Sequence, residues 1–460
     1  MTFAPLRPTT SPVRPAAIAV ACALALLPAW ASAQNLRELY EAARAYDATY
    51  LAARALADSA NFRAAQADAL NRPNVGLSAS ATRTDADVPP QLSTPARTAI
   101  PFTSGHFFNN RIDGTVSATQ PLYNRSNDAI ITQAQRGLEV SLADLESAEQ
   151  DLIIRVAQAY FDVLAAYDAL VTSQTGKKAI AEQLASAKRN FEVGTATITD
   201  TREAQARFDL STAQEIAAEN DLRTKRVALD TLVGRANVIP KPLAESVTLP
   251  GPAPDDVNAW VNTAEQVHPL IRKARLGLDI AKLETERARA AEGPTVDLVG
   301  SVGANRLGGT GANAPGTSTI GLIGLQMKMP LYTGGATQNR IKETLSLEDK
   351  ARNDLDAARR GVAQGTRVAF LGLKSGRAQV NALEAAESSS KLALEATQLG
   401  YKVGVRVNID VLNAQTQLNL TQRDLARSRY DVLVNGLRLR QAAGELRPDD
   451  INAVNALLAP

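Results

Sequence analysis

The chain has 460 residues, 4% aromatic and 21% charged, with a formal net charge of +2. Its scarce aromatics and long stretches rich in Ala, Gln, Leu and Arg favour long helices over a compact α/β enzyme. The near-neutral balance excludes the basic footprint of a nucleic-acid binder.

Residues 1–33 read as a secretory signal peptide. Arg7 and Arg14 give a positive n-region, Ala16 to Trp30 an apolar core, and Ala31-Ser32-Ala33 a small-x-small cleavage site before Gln34. The core of 15 residues is short for a spanning helix. Too little apolar sequence precedes Cys22 to make it a lipidation site, and cleavage after Ala33 leaves a mature chain without cysteine. No later stretch has the length of an apolar spanning helix. A chain exported past the inner membrane is then either soluble or part of an outer-membrane β-barrel.

The first repeat is expected over residues 34–239. Asn35 to Asn71 is helical in pattern and Pro73 ends it. Residues 74–83 alternate, with Val75, Leu77, Ala79 and Ala81 on one face and Gly76, Ser78, Ser80 and Thr82 on the other, which predicts a strand. A loop carrying Pro89, Pro90, Pro95 and Pro101 follows, with His106 exposed in it rather than ligating a metal. A second strand is expected over about 111–121, closed by Pro121 in QPLYN. No proline occurs between Leu122 and Ile239. Apolar positions from Leu138 to Leu170 step by three and four, so a helix from about Asn124 to Val193 is expected, roughly 100 Å long at 1.5 Å per residue. A turn over 194–200 follows, with Gly194 as a C-cap and Asp200 with Glu203 as a capping box opening the next helix.

Residues 240–256, with Pro240, Pro242, Pro250, Pro252 and Pro254, break the pattern and read as a linker. The second repeat, residues 257–447, starts again with a helix in which His268 marks a bend or start before Pro269. Strands are expected over about 294–305 and 318–330, where PTVDLVGS echoes PNVGLSAS and MPLYTGG echoes QPLYN. The intervening glycines lack the GxxxxGK[ST] pattern of a phosphate loop. A second proline-free run ends at Arg447, and residues 448–460 form a short irregular tail. Within this run, YKVGVRVNIDVLNAQTQLNL from Tyr401 matches FEVGTATITDTREAQARFDL from Phe191 at a constant offset of 210 residues, with a second turn over 404–410. Each half thus reads helix, strand, loop, strand, very long helix, turn, helix. Four strands cannot close a membrane barrel, whose smallest form has about eight, so strands lying in a membrane require an oligomer.

The segment from Tyr401 to Leu446, the matching FEVGTATITD turn and NLRELYEAARAYD near the start resemble the TolC family of outer-membrane channels, and the resemblance covers nearly all of the mature chain. It implies a mixed α/β membrane protein: a homotrimer whose twelve-stranded outer-membrane β-barrel, four strands per protomer, continues as a helical coiled-coil barrel across the periplasm. It further implies an exit duct without enzymatic chemistry or cofactor. Its partners would be outer-membrane lipid, a periplasmic adaptor and an inner-membrane ABC or proton-driven transporter, for type I protein secretion or drug efflux. The turns would form the periplasmic tip, with Val193, Gly194, Val403 and Gly404 meeting the adaptor. Asp410 matches an entrance aspartate, whereas Asn413 stands where the family often has a second, which implies weaker cation selectivity. Tyr401 and Arg406 match residues that tie the inner coiled coil to its neighbour through Thr199 and Asp200, and Gln183 matches a residue of an inter-protomer link.

Plainer roles compete for these positions. Asp200 and Asp410 suit helix caps, Arg406 suits a solvated turn, and Tyr401 suits a packed helix end like Phe191. Two histidines far apart and no mature cysteine supply no catalytic or metal constellation. The alternative class is a soluble periplasmic coiled-coil adaptor, for which four strands with alternating faces would have no use.

Overall fold

The computed structural model describes residues 33–88, 105–244, 248–310 and 315–459. The signal segment lies outside this range except for Ala33, as do Pro89, Pro90, Pro95 and Pro101 of the first strand–strand loop.

The helix expected over Asn35 to Asn71 is two helices, α1 (Leu36–Tyr46) and α2 (Ala48–Asp68), followed by one 3-10 turn. The break falls at Asp47, whose backbone is extended (φ −61°, ψ 115°) and whose carboxylate accepts the Tyr50 N–H at 2.8 Å as an N-cap. Local periodicity misses this break because no glycine or proline marks it. The second repeat breaks in the same way between α5 (Val257–Val267) and α6 (Pro269–Ala290). There His268 adopts φ −62°, ψ 127°, and its Nδ1 accepts the Leu270 N–H at 3.1 Å. Asp47 does a second job: the Arg155 guanidinium donates to both of its oxygens, at 2.8 and 2.9 Å. That bond holds the Asp47 carboxyl below the usual carboxylate range, against the opposing effect of burial.

Strands β1 (Asn74–Val88), β2 (Gly105–Tyr123), β3 (Thr295–Gly308) and β4 (Gly316–Lys328) form one antiparallel sheet in chain order, so the two repeats meet where β2 pairs with β3. The register puts Leu77, Val116 and Val302 side by side on one face, and Ser80, Asp113, Asn305 and Ser318 on the other. One face is therefore apolar and exposed in the single chain, and the other polar. β1 and β2 run further outward than the expected 74–83 and 111–121. The outer end of β1 is mostly polar, that of β2 reads GHFFNN, and both lose the alternation that marked the strands, but ladder pairing continues to Val88–Gly105. Arg83 pairs with Asp85 at 3.1 Å, and His106, exposed, meets Asp87 at 2.7 Å. β4 ends at Lys328, before the expected 330, because Pro330 has no N–H for the ladder.

The long helices are α3 (Arg125–Glu192), α4 (Ile198–Val233), α7 (Ala336–Lys402) and α8 (Asn408–Ala442). α3 has 68 residues and α7 has 67, so each is about 100 Å long. The largest hydrophobic core lies midway along α3 and joins it to α4 and α8. Leu36, Leu39 and Tyr40 of α1 pack with Tyr160 and Phe161 of α3 and Tyr430 and Leu433 of α8. Burial pushes the Asp168 carboxyl up, and Tyr430 Oη donates to it at 2.6 Å. The segment expected as an irregular tail instead joins this core. Helix α9 (Asp450–Asn455) buries Ile451 and Val454, and Leu458 bridges to Leu243 of the proline-rich linker.

Asp47→Ala removes both the cap, worth about 1 kcal/mol, and a partly buried bidentate pair. The expected loss is about 2 kcal/mol after allowing for the solvent exposure of Arg155. Because the folded carboxyl titrates below its ordinary value of 3.8, the stability from this pair is complete above that value and is lost as pH falls through the lower folded one. Thermal unfolding in detergent, followed by circular dichroism against pH, should show an acid limb that Asp47→Asn flattens.

Candidate functional site

The α3–α4 and α7–α8 connections are built alike. Gly194 (φ 79°) and Gly404 (φ 78°) take the left-handed conformation that a side chain would strain. Gly194 N–H donates to Phe191 O at 3.0 Å and Thr195 N–H to Asn190 O at 2.8 Å. At the other turn, Gly404 N–H donates to Tyr401 O at 3.1 Å and Val405 N–H to Gly400 O at 2.9 Å. Both helix ends thus satisfy their last carbonyls by the same Schellman-type geometry. Val193, Val403 and Val405 project from these turns, 72%, 66% and 78% exposed.

The two turns differ at the start of the next helix. Thr197, not Asp200, is the N-cap of α4, because the helix begins at Ile198. Asp200 occupies the third helical position and completes a reciprocal capping box by accepting the Thr197 N–H at 3.0 Å. Its pairing with Glu203 as a capping box is therefore corrected. In α8 the equivalent cap is Val407, which has no side-chain oxygen. Asp410, at the position equivalent to Asp200, instead faces Arg406 one turn back, with Nη1 to Oδ2 at 3.6 Å.

Polar side chains link the two hairpins within one protomer. Gln183 donates its amide to Asn408, which is 2% exposed and in turn donates to the Asp200 carbonyl at 3.5 Å. Asn190 donates to Tyr401 Oη at 3.1 Å, and Arg207 donates to Asn413 Oδ1 at 2.9 Å. Leu412 packs into the α3–α4 cluster of Ile180, Leu184, Ala187 and Ala204, while Val411 packs with Leu394. This seats α8 against both its own partner α7 and the α3–α4 hairpin, and leaves Asp410 and Asn413, three residues apart, on one face. Of the residues singled out in the sequence, Gln183, Tyr401, Arg406, Asp410 and Asn413 thus have side-chain partners inside the chain. Thr199 is exposed, and among the described residues neither Tyr401 nor Arg406 bonds to Thr199 or Asp200 within the protomer. Asn190, Arg207 and Asn408 were missed. Their partners lie more than 200 residues away, and only the 210-residue repeat offset hinted that the two turns sit together.

An edge-open sheet with one apolar and one polar face, extended by helices about 100 Å long, is the protomer of an outer-membrane channel that continues into the periplasm. The outer membrane efflux protein family model matches residues 39–235 and 260–445. Outer membrane protein TolC of Vibrio cholerae is 32% identical over 446 residues, covering 95% of this chain and 97% of that protein. Alkaline protease secretion protein AprF of Pseudomonas aeruginosa is 31% identical, covering 74% of this chain and 71% of that protein. The crystal structure of the outer membrane protein VceC from Vibrio cholerae superposes with a TM-score of 0.74 at 20% identity, covering 89% of this chain and 96% of that one. The chain belongs to the outer membrane efflux protein family. Its fold is the trimeric β-barrel and helical tunnel of that family, and it is an exit channel of the outer membrane rather than a soluble adaptor.

Asn408→Ala strands the Gln183 amide and removes the bond to the Asp200 carbonyl, a local cost of about 1–3 kcal/mol. Amide hydrogen exchange should speed up at both turns and remain unchanged in the sheet and the central core.

Proposed function

We propose that the chain forms a passive duct, gated at the two helical turns, which performs no chemistry on its cargo. Its principal cargo is protein in type I secretion, with small toxic compounds as a second class. The similarity to a protein named for alkaline protease secretion and to TolC supports this reading. The observation that carries the gating is the contrast between the two ends of the α7–α8 hairpin. One end is fastened by Phe370, Leu373 and Leu439 in a packed core, while near the turn Leu412 and Val411 join two smaller clusters and the side-chain links are few, with Arg207–Asn413 and the within-turn Arg406–Asp410 pair the exposed ones. Exposed pairs contribute about 0–1 kcal/mol each, so the buried Asn408 link and the Leu412 packing are the main resistance a docking partner meets in swinging the turn outward.

In the trimer, three copies of Asp410 ring the entrance, where crowded carboxylates favour cations. Tyr401, Arg406, Thr199, Asp200 and Gln183 are the links of the closed state. The apolar turns around Val193, Gly194, Val403 and Gly404 receive a periplasmic adaptor, which couples the duct to an inner-membrane ABC or proton-driven transporter. The apolar face of the sheet meets outer-membrane lipid.

Planar-bilayer recordings of the purified trimer test the gate. The wild type should pass small currents, and Arg406→Ser should raise conductance severalfold by releasing the turn. Unchanged conductance would reduce Arg406 to a turn residue.

A further inference from the structure

Of Asn190, Arg207 and Asn408, Arg207 alone carries a charge. It lies on α4 beside Phe208, which packs against the cluster containing Leu412. That packing fixes the backbone at both positions and brings the Arg207 guanidinium to Asn413, the neighbour of Leu412, at 2.9 Å. The contact is absent from the other half of the duplication. At an offset of 210 residues, Asn413 corresponds to Glu203 and Arg207 to Gln417. The arginine therefore belongs to one side of the assembly only.

Its charge has consequences. A guanidinium stays protonated at any working pH. Asn413 can accept its hydrogen bond but offers no charge to offset it. Asp410, three residues before Asn413 on the same face of α8, is the acidic group of that face, and Arg406 already stands 3.6 Å from it. The α8 face thus carries Asp410 and Arg406, and α4 adds the Arg207 guanidinium at Asn413, with Glu203 one turn and Asp200 two turns before Arg207 on α4.

We propose that Arg207 is a selectivity-determining residue of the channel entrance. It is a fixed cation, held by Asn413, that offsets the field of Asp410. This rests on the reading of Asp410 as an entrance residue. It also alters what a second acid would do: a carboxylate at position 413 would pair with Arg207 instead of adding a free negative ring.

The test is the reversal potential of the full trimer in planar bilayers under a potassium chloride gradient. Arg207→Gln should raise the cation-to-anion permeability ratio by about twofold or more. Arg207→Lys, which keeps the charge, should leave the ratio near wild type, and Asn413→Asp alone should shift it less than Asn413→Asp combined with Arg207→Gln. Trimer mass and thermal unfolding of each variant establish that the assembly is intact. Asp410→Asn separates the two readings. If it lowers the ratio while Arg207→Gln leaves it unchanged, the proposal is overturned and the entrance reading stands. If neither changes the ratio, the entrance reading fails and takes the proposal with it.

Discussion

An unpaired strand edge cannot remain in hydrocarbon. The outer edges of β1 and β4 present rows of N–H and C=O groups, and lipid offers them no partner. Four strands have too little width to curl into a closed wall, so the edges must be satisfied by further copies of the same chain. Three copies give the twelve strands of the family fold. That requirement brings the helices of each protomer alongside those of its neighbours, and it repeats every residue of the turns around a common axis. A side chain that would be an unremarkable surface group in a monomer becomes part of a ring.

Much of this was legible in the sequence because it is local. The polar and apolar faces of the sheet follow from a period of two, and the turns follow from a glycine that must adopt positive φ. The break at Asp47 was not legible, because no glycine or proline marks it and the guanidinium that also holds its carboxylate stands 108 residues away. The helical tail was not legible either, since Ile451 and Val454 are ordered by a core assembled from distant segments. The same holds at the turns. Asp200 and Asp410 stood out by repetition, but Asn190, Arg207 and Asn408 are meaningful only once the rotation of two helices about their axes is known.

The duplication is most informative where it fails. Thr197 and Val407 occupy the same cap position, and the loss of one hydroxyl changes the work of the carboxylate three residues on. Asp200 is occupied with capping its own helix, as stability favours. Asp410 is released from that duty and faces a charged neighbour across one turn. Of two acids at equivalent positions, one holds the start of its helix and the other pairs with Arg406.

The midsection has a bearing on the order of events during biogenesis. Residue Gln34 bridges to Pro240, the Leu36 N–H donates to Asn455 Oδ1 at 3.0 Å, and Leu243 bridges to Leu458. Segments from near the two ends of the chain therefore complete the same hydrophobic cluster, and residues synthesised first wait for residues synthesised last. During vectorial export the leading half emerges long before α9 is available to seal it. The midsection core of the protomer is therefore complete only once α9 has joined it.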